Sequence, residues 1–497
     1  MGIEAMHEQT KQGVQIRRLP ALVMILAVAL ALGGCGGGAS GDSQAVAVGS
    51  GGTGGGTGGS TGGGTGGGTG GGTGGGTGGG TGGGTGLRLG PGGSTGLGAT
   101  DCVQASVRCV NDDASPSGTQ EYTTIQAAVD DAQPGDVVLV FDGSYAGFSM
   151  YNSGSQASPI TVSAQGTDAR ITSPASGVDD SIYICNASWV VVEGFRVLRN
   201  GARGYGIGAH CASPTAPMYG VVIRYNEVRD SQSTNIYASQ VANSVVEGNV
   251  TSGSLNSHGI YVTNGGSDNT IVRYNLTYGN GVNGIHFNGD ASVGGDGLHT
   301  GLLVEGNIIH DNVANGIDAD GVYDSTFVNN LIYANGRHGI RVFQIDASGG
   351  ARNLVIDNNT IADNAGSAIK LTQDAGGHRI FNNVLLGNAM AIVVSNTSFS
   401  ADYNVVDSGS VLSFDGENST MDLSTWQANG HGSHSAVSTR AAEFVDAANR
   451  DYHLVANALA VDFGTASLSG SSAPGSDING VARPLGGAID AGAYEDH

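Results

Sequence analysis

Seven consecutive segments of the chain repeat one pattern: "GVVIRYNEVRDSQSTNIYAS", "NSVVEGNVTSGSLNSHGIYVT", "NTIVRYNLTYGNGVNGIHFN", "GLLVEGNIIHDNVANGIDAD", "STFVNNLIYANGRHGIRVF", "NLVIDNNTIADNAGSAIKLT" and "HRIFNNVLLGNAMAIVVS". Each holds an apolar strand, an asparagine, a second short apolar strand, a Gly/Asn turn and a third strand that begins at isoleucine. The asparagine recurs at Asn226, Asn249, Asn275, Asn307, Asn330, Asn359, Asn383 and Asn404, and the isoleucine at Ile236, Ile260, Ile285, Ile317, Ile340, Ile369 and Ile392. Most steps are 23–26 residues, and the longer ones carry inserted loops. Three strands and three turns per step predict one coil of a parallel β-helix, each coil contacting only its neighbours. Coils then stack about 4.8 Å apart, with Val, Ile and Leu filling the interior. An asparagine column at one turn tolerates left-handed backbone and bonds amide to amide between coils. A helical repeat is excluded, because the apolar period is two and turns bearing Asn or Gly interrupt each step.

The flanks agree. "YTTIQAAVDDAQPGDVVLV" reads as an amphipathic helix, with Ile125, Ala128 and Val129 on one face, then a Pro-Gly turn and the first strand. It predicts a cap over the open end of the stack. With this start and coils such as "HGIYV" and "NGIHFN", the chain resembles right-handed parallel β-helix proteins of the pectate lyase superfamily over about residues 120–410. The resemblance implies an all-β, right-handed parallel β-helix with an N-terminal cap helix and a C-terminal tail. It identifies the fold strongly and the activity weakly, since that superfamily holds polysaccharide lyases, uronan epimerases, glycoside hydrolases and non-enzymatic adhesins. The segment from "RDYHLVANALAVDFG" to "GAIDAGAYE" resembles a tail found after such solenoids, although "ALAVDFG" departs from the usual Ser-Pro-Ala-Ile-Asp-Ala-Gly. Residues 100–410 are thus expected to form the β-helix, and 411–497 its continuation and cap.

Ahead of the repeat, Arg17 and Arg18 precede "LPALVMILAVALAL" and "LGGC". A basic segment, a short apolar run and small residues describe an export signal over residues 1–34, too short for a membrane span. "LGGC" resembles the lipobox of bacterial lipoproteins, which implies cleavage before Cys35 and lipidation of its thiol. The alternative is a plain secretory signal. Residues 35–99 are nearly all Gly and Thr, cannot bury apolar surface and read as a disordered tether, spanning roughly 40–50 Å as a flexible coil. An exported lipoprotein is expected, at the outer membrane, in the periplasm or on the cell surface, held to the membrane through its lipid alone and acting as a single copy. The formal charge of −23 argues against nucleic acid as a partner. Apart from Cys35 the cysteines are Cys102, Cys109, Cys185 and Cys211. In an exported protein an even count favours two disulfides. Cys102–Cys109 would close a small loop, and Cys185–Cys211, about one repeat apart, would bridge neighbouring coils.

Alternation along the third strand turns isoleucine inward and the next residue outward. The outward column is Tyr237, Tyr261, His286, Asp318, Arg341, Lys370 and Val393, with Ser239, Thr263, Asn288, Asp320, Phe343, Thr372 and Ser395 two residues further on. Water-facing positions are ordinarily polar. This column, however, holds Tyr, His, Asp, Arg and Lys in succession. Lys370 is the only lysine after the leader, and the largest insertion, "GDASVGGDGLHTG", directly follows the His286 strand. Long loops on a rigid scaffold are where function concentrates, so the column reads as a groove for an extended polysaccharide.

For a uronic acid polymer, β-elimination requires a neutralised carboxylate, a base for the C5 proton and an acid for the leaving oxygen. Arg341, or Ca²⁺ held by Asp290, Asp296, Asp318 and Asp320, would neutralise. The same aspartates could equally be ordinary turn residues in Gly-rich loops. His286 or Lys370 would be the base and Tyr261 the acid, with Asp318 orienting His286. Tyr237, Asn288 and Phe343 would contact substrate. His258 and His338, each before Gly-Ile, are either substrate contacts or turn residues. His310 takes the place of Tyr278 and Tyr333 and reads as part of a surface stack. The Lys/Arg signature of chondroitinase B-like lyases and the Tyr-Gly-Phe-Asp-Pro-His signature of alginate epimerases are not found. A carboxylate pair at Asp318 and Asp320 would suit a glycoside hydrolase, and a non-catalytic glycan-binding or adhesive solenoid suits the tether equally well.

Overall fold

The computed structural model describes residues 88–113, 121–198, 203–211, 217–396 and 398–496. The leader, Cys35 and most of the Gly/Thr segment lie outside the described residues. Three long sheets of 13, 12 and 11 strands carry the fold. Each coil sends one strand to each sheet, and every pairing within the three is parallel. The third sheet holds the register read from the repeat: Ile236, Ile260, Ile285, Ile317, Ile340, Ile369 and Ile392 pair in succession. All are buried, and with Phe287, Val304, Ile309 and Phe327 they belong to a single apolar core inside the coils.

The asparagine column is a continuous hydrogen-bond ladder. Asn275 Oδ1 accepts from the backbone N–H and the side-chain amide of Asn249, both at 3.0 Å, and Asn275 repeats the contact onto Asn307. The left-handed backbone falls one residue earlier than the repeat suggested. Tyr225, Gly248, Tyr274, Gly306, Asn329 and Asn358 carry the positive φ, leaving each ladder asparagine free to satisfy its neighbours. A second ladder through Asn280, Asn312, Asn335, Asn364 and Asn388 lines the next turn.

The helix Ile125–Asp131 is capped by the Thr124 hydroxyl and buries Ile125, Ala128 and Val129. Toward the other end, the helix Leu423–Ala428 puts Trp426 into the core against Phe399 and Phe414. Leu412–Ser413 and Ala436–Val437 still pair with the coils. The remaining tail does not sit over the end. It packs Phe444, Tyr452, Leu454 and Ile478 onto Leu331, Val384 and Leu386 along the flank. Asn329, Asn358 and Asn382, three of the left-handed residues, donate side-chain hydrogen bonds to tail carbonyls.

Residues 88–98, assigned to the tether by composition, also lie along the coils. Gly90, Gly92 and Gly93 donate backbone N–H to the carbonyls of Gly248, Gly194 and Ala164. A Cβ on Gly93 would sit 2.1 Å from Ser163 Oγ, so only glycine allows this approach. Both disulfides, Cys102–Cys109 and Cys185–Cys211, are formed.

Candidate functional site

The strands Ile236–Ser239, Ile260–Thr263, Ile285–Asn288, Ile317–Asp320, Ile340–Phe343 and Ser367–Leu371 set Tyr237, Tyr261, His286, Asp318, Arg341 and Lys370 side by side in register. Val393 ends the column and is fully buried. The Tyr261 and His286 rings are 4.7 Å apart, the His258 ring lies 4.6 Å from His286, and Tyr237 meets Tyr261 edge-on at 5.4 Å.

His286 Nδ1 is 3.1 Å from the Asp318 backbone carbonyl and 3.5 Å from its carboxylate. A carbonyl only accepts, so Nδ1 carries the proton and Nε2 is left with the lone pair. Burial lowers the His286 pKa below the ordinary histidine value, against the Asp318 charge, which raises it. The ring is therefore a neutral base at neutral pH. Burial likewise pushes the Tyr261 hydroxyl up to about 12, with Thr263 and Asn288 pulling the other way, so it keeps its proton.

Asp318 is the hub. Its carboxylate accepts from Asn315 Nδ2 at 2.9 Å, from Asn283 Nδ2 at 3.3 Å and from Arg341 at 3.3 Å. Asn283 and Asn315 were not singled out in the sequence. Each precedes a Gly-Ile step, and that position was the available signal. The Arg341 guanidinium lies 3.9 Å over the Phe343 ring. Phe343 is buried and backs Arg341.

His258 and His338 behave as turn residues. Each Nδ1 accepts a backbone N–H from the next coil, from Asn283 and Ser367 respectively. Burial holds His258 well below the histidine range; burial, then the Lys370 charge, takes His338 to about 4. His258 nevertheless keeps its ring against His286 and Tyr261. Lys370 is not a free amine, because Glu417 holds its Nζ at 2.6 Å. Glu417 lies beyond the last repeat and carries no periodic signal. His310 stacks between Tyr278 and Tyr333, as expected of a surface stack.

The aspartates proposed for Ca²⁺ have other engagements. Asp290 and Asp296 accept from Ser292 N and Leu298 N, two residues on, as turn residues do. Asp320 is fully buried and accepts the N–H groups of Ile345, Asp346 and Ala347, fastening the following loop. Burial raises its pKa to about 6. It does not face outward beside Asp318, so the hydrolase-like pair is not formed. Ser239 and Thr263 of the same second row are also buried, whereas Asn288 stays partly exposed. No group of three or more His, Cys, Asp or Glu able to hold a metal ion occurs among the described residues.

Comparison with known proteins defines the class. The right-handed β-helix region family matches residues 254–408, and the protein is an all-β, right-handed parallel β-helix. The crystal structure of pectate lyase Pel9A aligns over 79% of this chain and 96% of its own, with a TM-score of 0.50 and 16% identity. The A-module of the Azotobacter vinelandii mannuronan C-5 epimerase aligns over 62% and 87%, with a TM-score of 0.36 and 20% identity. The likeness to the pectate lyase, at 16% identity, shows the fold alone. Among curated proteins no sequence matches.

Proposed function

We propose that the protein is a polysaccharide lyase that binds a uronic acid polymer along the outward column and cleaves it by β-elimination. One observation carries the reading: a neutral His286 with its Nε2 lone pair free of the Asp318 contact, 4.7 Å ring to ring from a Tyr261 that keeps its proton. His286 takes the C5 proton of the uronate. The electron pair forms the C4–C5 double bond as the C4–O bond breaks, and the Tyr261 hydroxyl protonates the departing oxygen. Arg341 meets the substrate carboxylate and acidifies C5. Asp318 positions Arg341 and compensates the imidazolium as it forms. Lys370 lies three strand steps from His286, about 14 Å, and is held by Glu417, so it suits a distant substrate charge better than C5. An epimerase would use the same base and return the proton to the opposite face. The reading puts the enzyme outside the cytoplasm, tethered through Cys35.

The test offers pectate, alginate and glycosaminoglycans to the purified protein, with and without Ca²⁺. Ultraviolet absorbance of the unsaturated uronate follows cleavage, and NMR follows C5 inversion. Loss of the base in His286→Ala should cost roughly 10²–10⁴ in kcat. Reducing ends without unsaturation would indicate hydrolysis. Binding without turnover would indicate a glycan-binding solenoid, and full activity of His286→Ala would overturn the assignment.

A further inference from the structure

The outward column continues past Tyr237 in the direction of the N-terminal cap, into a second polar cluster that the elimination chemistry does not use. Tyr183 and Gly208 are the next positions in register. At Gly208 the column has no side chain, and two groups from flanking positions fill the gap. A Cβ there would fall 2.4 Å from Asp180 Oδ2 and 2.9 Å from the His210 ring. His210 Nε2 lies 2.7 Å from Asp180 Oδ2, and Asp180 Oδ1 accepts the Tyr205 N–H at 2.8 Å. Asp180 is buried and His210 only partly so. One carboxylate thus orients the imidazole and pins the tyrosine backbone, leaving His210 Nδ1 for a further bond.

Aromatic rings wall the cluster. Tyr183, Tyr205 and Tyr237 each meet the His210 ring edge-on at 5.1–5.2 Å, and Tyr205 stacks flat on Tyr237 at 4.0 Å. Tyr183, Tyr205, His210 and Asp180 line an open cleft of about 430 Å³. The Cys185–Cys211 bridge ties the segment after Tyr183 to the residue after His210, so the cleft is held before any ligand arrives. Flat rings beside a fixed imidazole match the two faces of a pyranose, C–H groups against the ring quadrupole and hydroxyls toward the imidazole.

We propose that this cleft is a carbohydrate subsite, binding one pyranose unit of the polymer whose scissile bond lies at His286. The proposal rests on the reading of the column as a polysaccharide groove. Gly208 and His286 are three strand steps apart, about 14 Å, so only a chain several units long spans both. The subsite would favour long substrates and set their position along the groove.

Affinity electrophoresis and calorimetry of the full chain, with pectate and alginate and with their disaccharides as probes, test this. Tyr205→Ala and His210→Ala should weaken polymer binding roughly threefold to tenfold, as expected for loss of an aromatic contact. Both should weaken the binding of polymer more than of disaccharide, which can still bind at the His286 end, and raise KM more than they lower kcat. Tyr205→Phe, which keeps the ring, should restore affinity. Unchanged polymer affinity in folded Tyr205→Ala and His210→Ala overturns the subsite even if turnover persists. Polymer binding that Tyr205→Ala weakens supports it even if no polymer is cleaved, an outcome that sinks the lyase reading alone. Binding of neither polymer overturns both.

Discussion

Replacing Asn275 by alanine should destabilise the solenoid far more than an uncharged substitution usually does. Asn275 is fully buried, and its amide makes five hydrogen bonds. Two come from Asn249, through its backbone N–H and its side chain. Its two amide hydrogens are shared among three acceptors, the Val246 carbonyl, the Arg273 carbonyl and Asn307 Oδ1. Alanine keeps the backbone bond from Asn275 N to Asn307 and loses all five others. The Asn249 N–H is then left buried without an acceptor, at about 1–3 kcal/mol, and the remaining bonds are worth about 0.5–1.5 kcal/mol each where neighbours cannot compensate. The sum is roughly 3–5 kcal/mol, allowing for partial compensation. Asn275→Asp should be worse, because a carboxylate would face three acceptors at 2.9–3.0 Å with nothing to donate. Because stability in a solenoid is locally partitioned, hydrogen exchange at the Asn249 amide, together with the urea midpoint followed by circular dichroism, is the sharpest readout. An Asn249 amide protected as in the parent, with a loss under about 1 kcal/mol, would refute the reasoning that the ladder's side-chain bonds are needed by buried backbone.

Acid should destabilise the fold in a defined window. Burial lowers His299 to about 4, so the unfolded chain binds a proton that the folded one refuses. The stabilisation is complete above about pH 6.5 and is lost as pH falls through 4, about 3 kcal/mol for this group. Asp320, raised to about 6, acts in the opposite sense, so thermal melts of the parent and His299→Leu between pH 7 and 4, about the span of the two pKa values, should isolate the histidine. Equal pH slopes in the two would contradict this. Separately, Lys370→Met should keep much more turnover than His286→Ala, measured as unsaturated product, since Glu417 already holds the lysine. The reverse order would transfer the base to Lys370.

Fold and column were legible in the sequence for one physical reason. Strand side chains alternate with period two, and coils of equal plan stack in register. Once isoleucine recurs at each step, the residue after it must line one exterior row, and Tyr261, His286, Asp318 and Arg341 are neighbours without further information. The asparagine ladder follows from the same periodicity, down to the residue whose amide does the bonding.

Which members of that row are free for chemistry was decided only in three dimensions. Lys370 is taken by Glu417, 47 residues on. Asp320 is turned to a loop whose N–H groups arrive 25–27 residues later. His210 reaches Asp180 across 30 residues, in a coil whose column position is only a glycine. The glycines at 90–93 read as tether because low apolar content speaks for disorder, yet their bare backbones reach the coil carbonyls. Each of these contacts depends on the path of an irregular loop or tail. A period specifies what each coil shares with the next and is silent on the insertions, so the column's identity lay in the sequence and its chemistry in the tertiary structure.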